Sequence, residues 1–211
     1  DAGDTGESDA AVIDAGDAGP YDAGQNPVSK NSWRVLPSAN GIGTLLFDGD
    51  PAKAKVTTYY PHIYRKFDAA SAETPNLLYD MYFGIRVAGG NRWLNTVPIT
   101  RVRYLPGSGV IEVLRGHNGL DITEYYWLTM SATHPIAIAG IKLKNESGAQ
   151  IGDVAVFALG NFHVGTGIDR IQNERADFDP AFNGFFERNA LLSSYYNAVF
   201  ISGAPPDAAA A

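Results

Sequence analysis

The sequence contains no cysteine among its 211 residues. Neither a disulfide framework nor a metal site with thiolate ligands is therefore possible, although the absence is compatible with any cellular compartment. Long apolar runs are lacking as well, because no stretch approaches the roughly 18 residues that a membrane-spanning helix needs. We therefore expect no membrane span in this chain.

An excess of basic residues is also absent. The 16 Lys and Arg residues are outnumbered by 23 Asp and Glu residues, which gives a formal net charge of −7. Seven of the acids lie in residues 1–24, a stretch without Lys or Arg, so the chain from Gln25 onward is formally neutral. Because nucleic-acid binding depends on a basic surface, the composition argues against DNA or RNA as a partner.

Signatures of common catalytic and cofactor sites are missing too. No serine lies in the Gly-x-Ser-x-Gly elbow of hydrolases, and no glycine pattern matches a phosphate- or dinucleotide-binding loop. No histidine pair has the spacing of metal ligands, and acids such as Asp177 and Asp179 are more typical of a solvated surface than of a glycosidase pair. We predict no catalytic residue, no metal site and no cofactor in this chain.

Residues 1–30 are predicted to form a disordered acidic tether. The triplet Asp-Ala-Gly occurs at 1–3, 14–16, 17–19 and 22–24. Small residues and like charges bury too little apolar area to offset the entropy of ordering the chain. Such tethers resemble spacers between a membrane anchor and an exported domain, and the sequence begins with Asp rather than Met. We therefore expect an upstream export segment and an extracytoplasmic protein, either secreted or anchored at the cell surface.

Residues 31–204 read as one β-sandwich domain, followed by a frayed tail at 205–211. Short β-rich runs alternate with turn signals, and helical patterns of 10–15 residues do not separate them, which favours an antiparallel sandwich over βαβ units. One hairpin turn is predicted at residues 115–118 and a central strand at 136–144. Residues 171–188 are predicted as a short helix or an ordered loop.

One acidic residue conflicts with the alternation of its strand. In the predicted strand that includes Leu120–Leu128, the residues of one face are apolar except for Glu124. Two interpretations remain open at this stage. Glu124 is either a buried carboxylate with a partner or the mark of a β-bulge.

Aromatic residues are unusually frequent in the predicted strands, and they are the most informative residue type present. Sugars present apolar C–H faces that stack on aromatic rings, and their hydroxyl groups can pair with polar ring substituents. Trp93 follows a Gly-Gly-Asn turn and is therefore the best candidate for an exposed ring. Tyr60 and His62 flank Pro61 in a predicted loop. We predict Tyr60, His62 and Trp93 as carbohydrate-binding residues.

Four motifs carry a family resemblance. They are Tyr59-Tyr60-Pro61, Thr74-Pro75-Asn76 followed by an aromatic-rich strand, the stretch 119–126, and the stretch 135–145. Over residues 36–164 the chain resembles the N-terminal β-sandwich domain of bacterial glucoamylases and glucodextranases. The resemblance implies a large super-sandwich of the galactose-mutarotase type. In that family the sandwich is joined to a helical barrel that hydrolyses glucan and carries the catalytic carboxylates.

The helical hairpins of such a barrel are not found after the predicted sandwich. The resemblance therefore implies a non-catalytic domain or fragment of an exported glycoside hydrolase, with the barrel domain and an α-glucan as partners. One alternative is a stand-alone surface module that binds carbohydrate or protein. Another is a mutarotase-like sugar epimerase, for which His62, His163 and Glu187 could supply the proton-transferring groups.

Overall fold

The computed structural model describes residues 35–40, 43–50, 53–61, 78–129, 136–162, 174–189 and 197–201. Within these ranges the chain forms thirteen strands and a single 3₁₀ turn, Leu94–Thr96. Every pairing between these strands is antiparallel. The predicted all-β antiparallel fold is thereby confirmed. The predicted tether at 1–30 and the tail at 205–211 lie outside the described residues.

The strands form three sheets. The first sheet has the order β1-β2-β3-β4-β10, with β5 also paired to β4. Its strands are β1 (Val35–Ala39), β2 (Gly43–Asp48), β3 (Lys55–Pro61), β4 (Leu78–Val87), β5 (Gly90–Trp93) and β10 (Ala155–Phe162). The second sheet, in sequential order, contains β6 (Ile99–Tyr104), β7 (Ile111–His117), β8 (Leu120–Leu128) and β9 (Ala137–Asn145). The third contains β11 (Glu174–Asp179), β12 (Gly184–Asn189) and β13 (Asn197–Ile201).

The main core joins the first and second sheets. Alternate residues of β4 and β8 are buried, and the apolar ones belong to one cluster with residues of β2, β3, β6 and β7. Tyr126 of β8 stacks on Phe47 of β2 with ring centroids 5.5 Å apart, and its ring lies 6.2 Å from that of Phe83 in β4. Two sheets that share a core of interleaved side chains form a β-sandwich.

Two tight hairpins have the backbone conformation of type I′ turns. Both central residues have positive φ, 50° and 79° at Ala88 and Gly89, and 48° and 77° at Asn118 and Gly119. Asn-Gly is a preferred pair for this turn because both residues tolerate positive φ. The hairpin predicted at 115–118 was therefore misplaced, since β7 continues to His117 and the turn lies at Asn118 and Gly119.

The prediction for residues 171–188 was wrong. Residues 174–189 form the hairpin of β11 and β12 instead of a helix or loop. At its turn the Asp179 carboxylate accepts a hydrogen bond from the Ala181 amide, 2.8 Å away. The opposed residues Phe178 and Phe185 bring their rings to a centroid distance of 5.2 Å. Contacts across the two strands stabilise this hairpin, whereas the spacing of apolar residues along the chain shows no clear strand period.

The strand predicted as central, at 136–144, corresponds to β9. Among the described residues β9 lies at the edge of the second sheet. Its inward residues Ala139 and Ile141 pack against the core, yet they remain only partly buried. The apolar residues on both faces had indicated burial on both faces. Part of that apolar surface is instead left half-exposed at the side of the sandwich.

Candidate functional site

Three aromatic rings meet on the outer face of the first sheet. In β4, Phe83 and Ile85 point into the core, so the alternate residues Tyr82 and Gly84 belong to the opposite face. Gly84 is paired with Trp93 of β5 on one side and with Phe157 of β10 on the other. The residues Tyr82, Trp93 and Phe157, which surround Gly84, are called the aromatic row below.

Trp93 is the central ring of the aromatic row. Its side chain is 44% exposed, and its ring centroid lies 5.5 Å from that of Tyr82 and 6.4 Å from that of Phe157. A Cβ atom on Gly84 would stand 2.6 Å from Trp93 Cε3 and 2.9 Å from Cζ3. These distances are shorter than atoms can approach, so the glycine makes room for the indole. The sheet therefore holds a large apolar ring against its surface while leaving much of that ring in water.

A charged pair borders the aromatic row at Tyr82. Lys55 Nζ lies 2.5 Å from Asp80 Oδ2 and 5.7 Å from the centroid of the Tyr82 ring. Partial burial, and next the Asp80 charge, raise the pKa of Tyr82, although the charge of Lys55 opposes this shift. The Tyr82 hydroxyl is therefore protonated at neutral pH and available as a hydrogen-bond donor.

An exposed aromatic surface beside hydroxyl, ammonium and carboxylate groups offers a ligand both apolar contact and hydrogen bonds. Among the residues that the structure describes, no three His, Asp or Glu side chains are grouped to hold a metal ion. The chain matches no protein-family model and no curated protein sequence.

The three predicted carbohydrate-binding residues differ in what the structure shows of them. Trp93 is exposed, at the end of β5 and inside the aromatic row. Tyr60 lies in β3 with its backbone opposite Thr44, and its side chain is outside the described part of the chain. His62 lies wholly outside the described residues, as does His163 of the alternative epimerase site. The grouping of Tyr60 and His62 with Trp93 stays a prediction.

Sequence reasoning missed two residues of this site. Phe157 was not singled out, because its place beside Trp93 depends on β10 pairing with β4, far away in the chain. Gly84 was also overlooked, although a glycine inside a strand is a usable signal. It marks a place where another group approaches the backbone closely.

The core holds a second polar group, formed by Arg115, Glu124 and Tyr126. Arg115 Nε donates to Glu124 Oε1 at 2.5 Å, and both side chains of this pair are fully buried. The Tyr126 hydroxyl donates to Glu124 Oε2 at 2.7 Å. Glu124 is therefore a buried carboxylate with partners, which decides between the two interpretations left open by the sequence.

Tyr126 provides a pH-dependence test of this cluster. Burial raises its pKa well above the ordinary range, and the charge and hydrogen bond of Glu124 raise it further. In the unfolded chain the hydroxyl ionises near pH 10, so its contribution to stability is complete below about pH 10 and is lost as the pH rises. Above about pH 10 the free energy of unfolding should fall as the pH rises. We expect Tyr126→Phe to make this slope less steep by up to about 1.4 kcal/mol per pH unit.

Urea unfolding of both proteins between pH 8 and pH 11.5 would measure the two slopes. Tyr104→Phe is the control, because Tyr104 is 40% exposed and only burial raises its pKa. Equal slopes for Tyr126→Phe and the unaltered protein would show that Tyr126 is not protected from ionisation.

Within the described ranges there is no helix of the length and apolarity required to cross a membrane.

Proposed function

We propose that this chain is a non-catalytic β-sandwich domain that binds a polysaccharide chain across its aromatic row and acts within an exported glucan-acting glycoside hydrolase. The observation that carries the proposal is the exposed Trp93 ring, seated over Gly84 and flanked by Tyr82 and Phe157. Burying an exposed indole against the C–H face of a sugar removes a large apolar area from water.

The ring geometry favours a single polysaccharide chain over a crystalline surface. The Tyr82 ring is inclined at 85° to Trp93, and the Phe157 ring at 59°. A flat crystalline face could not stack on all three rings at once, because they are not coplanar. A single flexible chain, such as an α-glucan, can present differently tilted sugar rings to the three aromatic groups.

Two of the resemblance motifs reach strands of the first sheet. Tyr59, Tyr60 and Pro61 end β3, and the second motif continues into β4, where Met81 pairs with Val56 of β3. The described residues of both motifs therefore belong to the sheet that carries the aromatic row. This placement supports a role related to the sandwich domains of glucoamylases and glucodextranases, with the catalytic acids supplied by a separate helical barrel.

A second role, packing against such a catalytic barrel, is favoured by apolar residues at β10. Val156 pairs with the fully buried Ile85, yet it is 43% exposed, and nearby Val154 is also exposed. The second sheet thus leaves part of the inner side of β10 uncovered. A neighbouring domain would bury this surface without occupying the aromatic row on the opposite face.

We expect Trp93→Ala to weaken glucan affinity by about 10- to 30-fold, the loss typical of removing a central tryptophan from an interface. Affinity electrophoresis of the full chain in gels containing soluble starch or dextran would measure the change. Phe182→Ala is the matched control, because Phe182 is 56% exposed, makes an edge contact with Phe186 and lies at the β11–β12 turn. We expect this variant to bind as the unaltered protein does.

Two results would contradict the proposal. One is migration of the unaltered chain that no soluble glucan retards. The other is equal retardation of Trp93→Ala and the unaltered protein. Stronger retention on microcrystalline cellulose than in soluble-glucan gels would contradict the assignment to single chains.

A further inference from the structure

We propose that Arg115 is a positioning residue that fixes both sides of the aromatic row from inside the core. The proposal rests on the proposed function, in that the row is taken to be the glucan-binding surface. Arg115 itself is 2% exposed and lies in β7 of the second sheet, so it cannot touch a ligand on the outer face of the first sheet. Its influence would act through the backbone segments that it holds.

The guanidinium group of Arg115 donates hydrogen bonds in three directions. Nε donates to Glu124, Nη1 to the Val97 carbonyl at 2.5 Å, and Nη2 to the Ala54 carbonyl at 2.8 Å. Glu124 is fixed in turn by the Tyr126 hydroxyl. The guanidinium group presents donors on three nitrogens in a fixed plane, which suits it to hold two separate carbonyls and a carboxylate at one time.

The Val97 carbonyl lies on the segment that follows Trp93. A 3₁₀ turn, Leu94–Thr96, connects the two residues, and Leu94 is fully buried. The Thr96 hydroxyl donates to the Trp93 carbonyl at 2.7 Å, and the Val97 amide donates to the Leu94 carbonyl at 2.9 Å. This short, hydrogen-bonded segment transmits the position of Val97 to the backbone that carries the indole.

The Ala54 carbonyl lies at the entry to the other side of the site. Ala54 is buried, has a φ of 45°, and donates its amide to the Asp50 carbonyl at 2.8 Å. The next residue is Lys55, whose ammonium group pairs with Asp80 and lies near the Tyr82 ring. Arg115 therefore holds the residue that precedes the charged border of the aromatic row.

One buried guanidinium group thus links the segments that carry Trp93 and Lys55, although these segments come from different parts of the chain. A binding surface keeps its geometry when its residues are fixed by a supporting layer of hydrogen bonds. The same contacts also stabilise the fold, so the test must separate a displaced Trp93 from a loss of stability.

The test compares Arg115→Met/Glu124→Leu with Leu128→Ala in the full chain. The double variant removes both buried charges together, which proteins often tolerate. Leu128→Ala destabilises the core, but it removes no hydrogen bond to Val97 or Ala54, because a leucine side chain has no polar atom. Glucan affinity is measured by electrophoresis. Acrylamide quenching is measured with Trp33→Phe and Trp127→Phe added to every protein, so that Trp93 is the remaining tryptophan.

We expect the double variant to unfold cooperatively, to bind soluble glucan about tenfold more weakly, and to show altered quenching of Trp93. Leu128→Ala should retain both the affinity and the quenching of the unaltered protein. A folded double variant with unaltered affinity and quenching would overturn the inference. So would equal changes in both properties for Leu128→Ala.

Arg115→Lys provides a second test if the double variant does not fold. The three N–H donors of a lysine ammonium group radiate from one nitrogen and cannot match partners placed around three separate nitrogens, so we expect weaker binding and altered quenching here as well. Unaltered values would overturn the inference. If the unaltered chain binds no glucan, the proposed function fails separately, and the quenching comparison alone decides whether Arg115 positions Trp93.

Discussion

We expect the single substitution Arg115→Met to lower the free energy of unfolding by about 3–5 kcal/mol at pH 7. The side chains of Arg115 and Glu124 are both fully buried. Removing the arginine leaves the Glu124 carboxylate in the core without its cation, and it removes the donors to the carbonyls of Val97 and Ala54. Buried polar groups that lose their partners keep the full cost of having left water. Urea denaturation followed by circular dichroism would measure the loss.

Arg103→Met is the matched control for this prediction. Arg103 donates to Glu112 at 2.7 Å, yet its side chain is 29% exposed, and Arg101 pairs with the same carboxylate at 3.2 Å. A partly exposed pair with a second cation should contribute about 0–1 kcal/mol. A loss for Arg115→Met no larger than that for Arg103→Met would show that burial does not set the strength of the inner pair.

The cost of the single substitution should fall when Glu124 is replaced as well. In Arg115→Met/Glu124→Leu no charge remains unpaired in the core, and the new side chains are apolar. The variant still leaves the Tyr126 hydroxyl and two buried carbonyls without their partner. Its stability is therefore expected to lie between that of Arg115→Met and that of the unaltered protein.

Local sequence patterns predict the strands of the sandwich well where one face is buried. The aromatic-rich strand predicted after Thr74-Pro75-Asn76 corresponds to β4, in which Met81, Phe83, Ile85 and Val87 alternate and which ends at a glycine-containing turn. The conflict at Glu124 was also visible in the alternation of β8. The sequence did not show how this conflict is resolved. Arg115, the partner of Glu124, was assigned to a turn, where a charged residue is common.

The aromatic row could be predicted only in part for a different reason. Exposure of Trp93 follows from the local turn. Its neighbour Phe157 lies in β10, and five strands separate β10 from its partner β4 along the chain. Alternation indicates which face a residue occupies without identifying the neighbouring strand. The site therefore depends on the order of strands in the sheet, which local patterns in a single sequence do not reveal.

We expect Gly119→Ala to lower the free energy of unfolding by about 2–4 kcal/mol. Gly119 has a φ of 77°, where a side chain strains the backbone, and an added Cβ would stand 2.7 Å from Ser147 Cβ. Ser147 cannot move away easily, because its amide donates to Asn145 Oδ1 at 2.9 Å and its hydroxyl donates to the Ala149 carbonyl at 2.9 Å. Denaturant unfolding would measure the change.

Gly89→Ala separates the two causes of this loss. Gly89 occupies the second position of the other type I′ turn with a φ of 79°, but no atom beyond its two neighbouring residues lies within 4 Å of an added Cβ. This substitution should cost only the backbone strain, about 1–2 kcal/mol. Adding Ser147→Gly to Gly119→Ala removes the Cβ of Ser147 that the new side chain would meet. The loss of unfolding free energy should then be similar to that of Gly89→Ala. Equal losses for Gly89→Ala and Gly119→Ala would instead show that the contact between Gly119 and Ser147 relaxes without a cost.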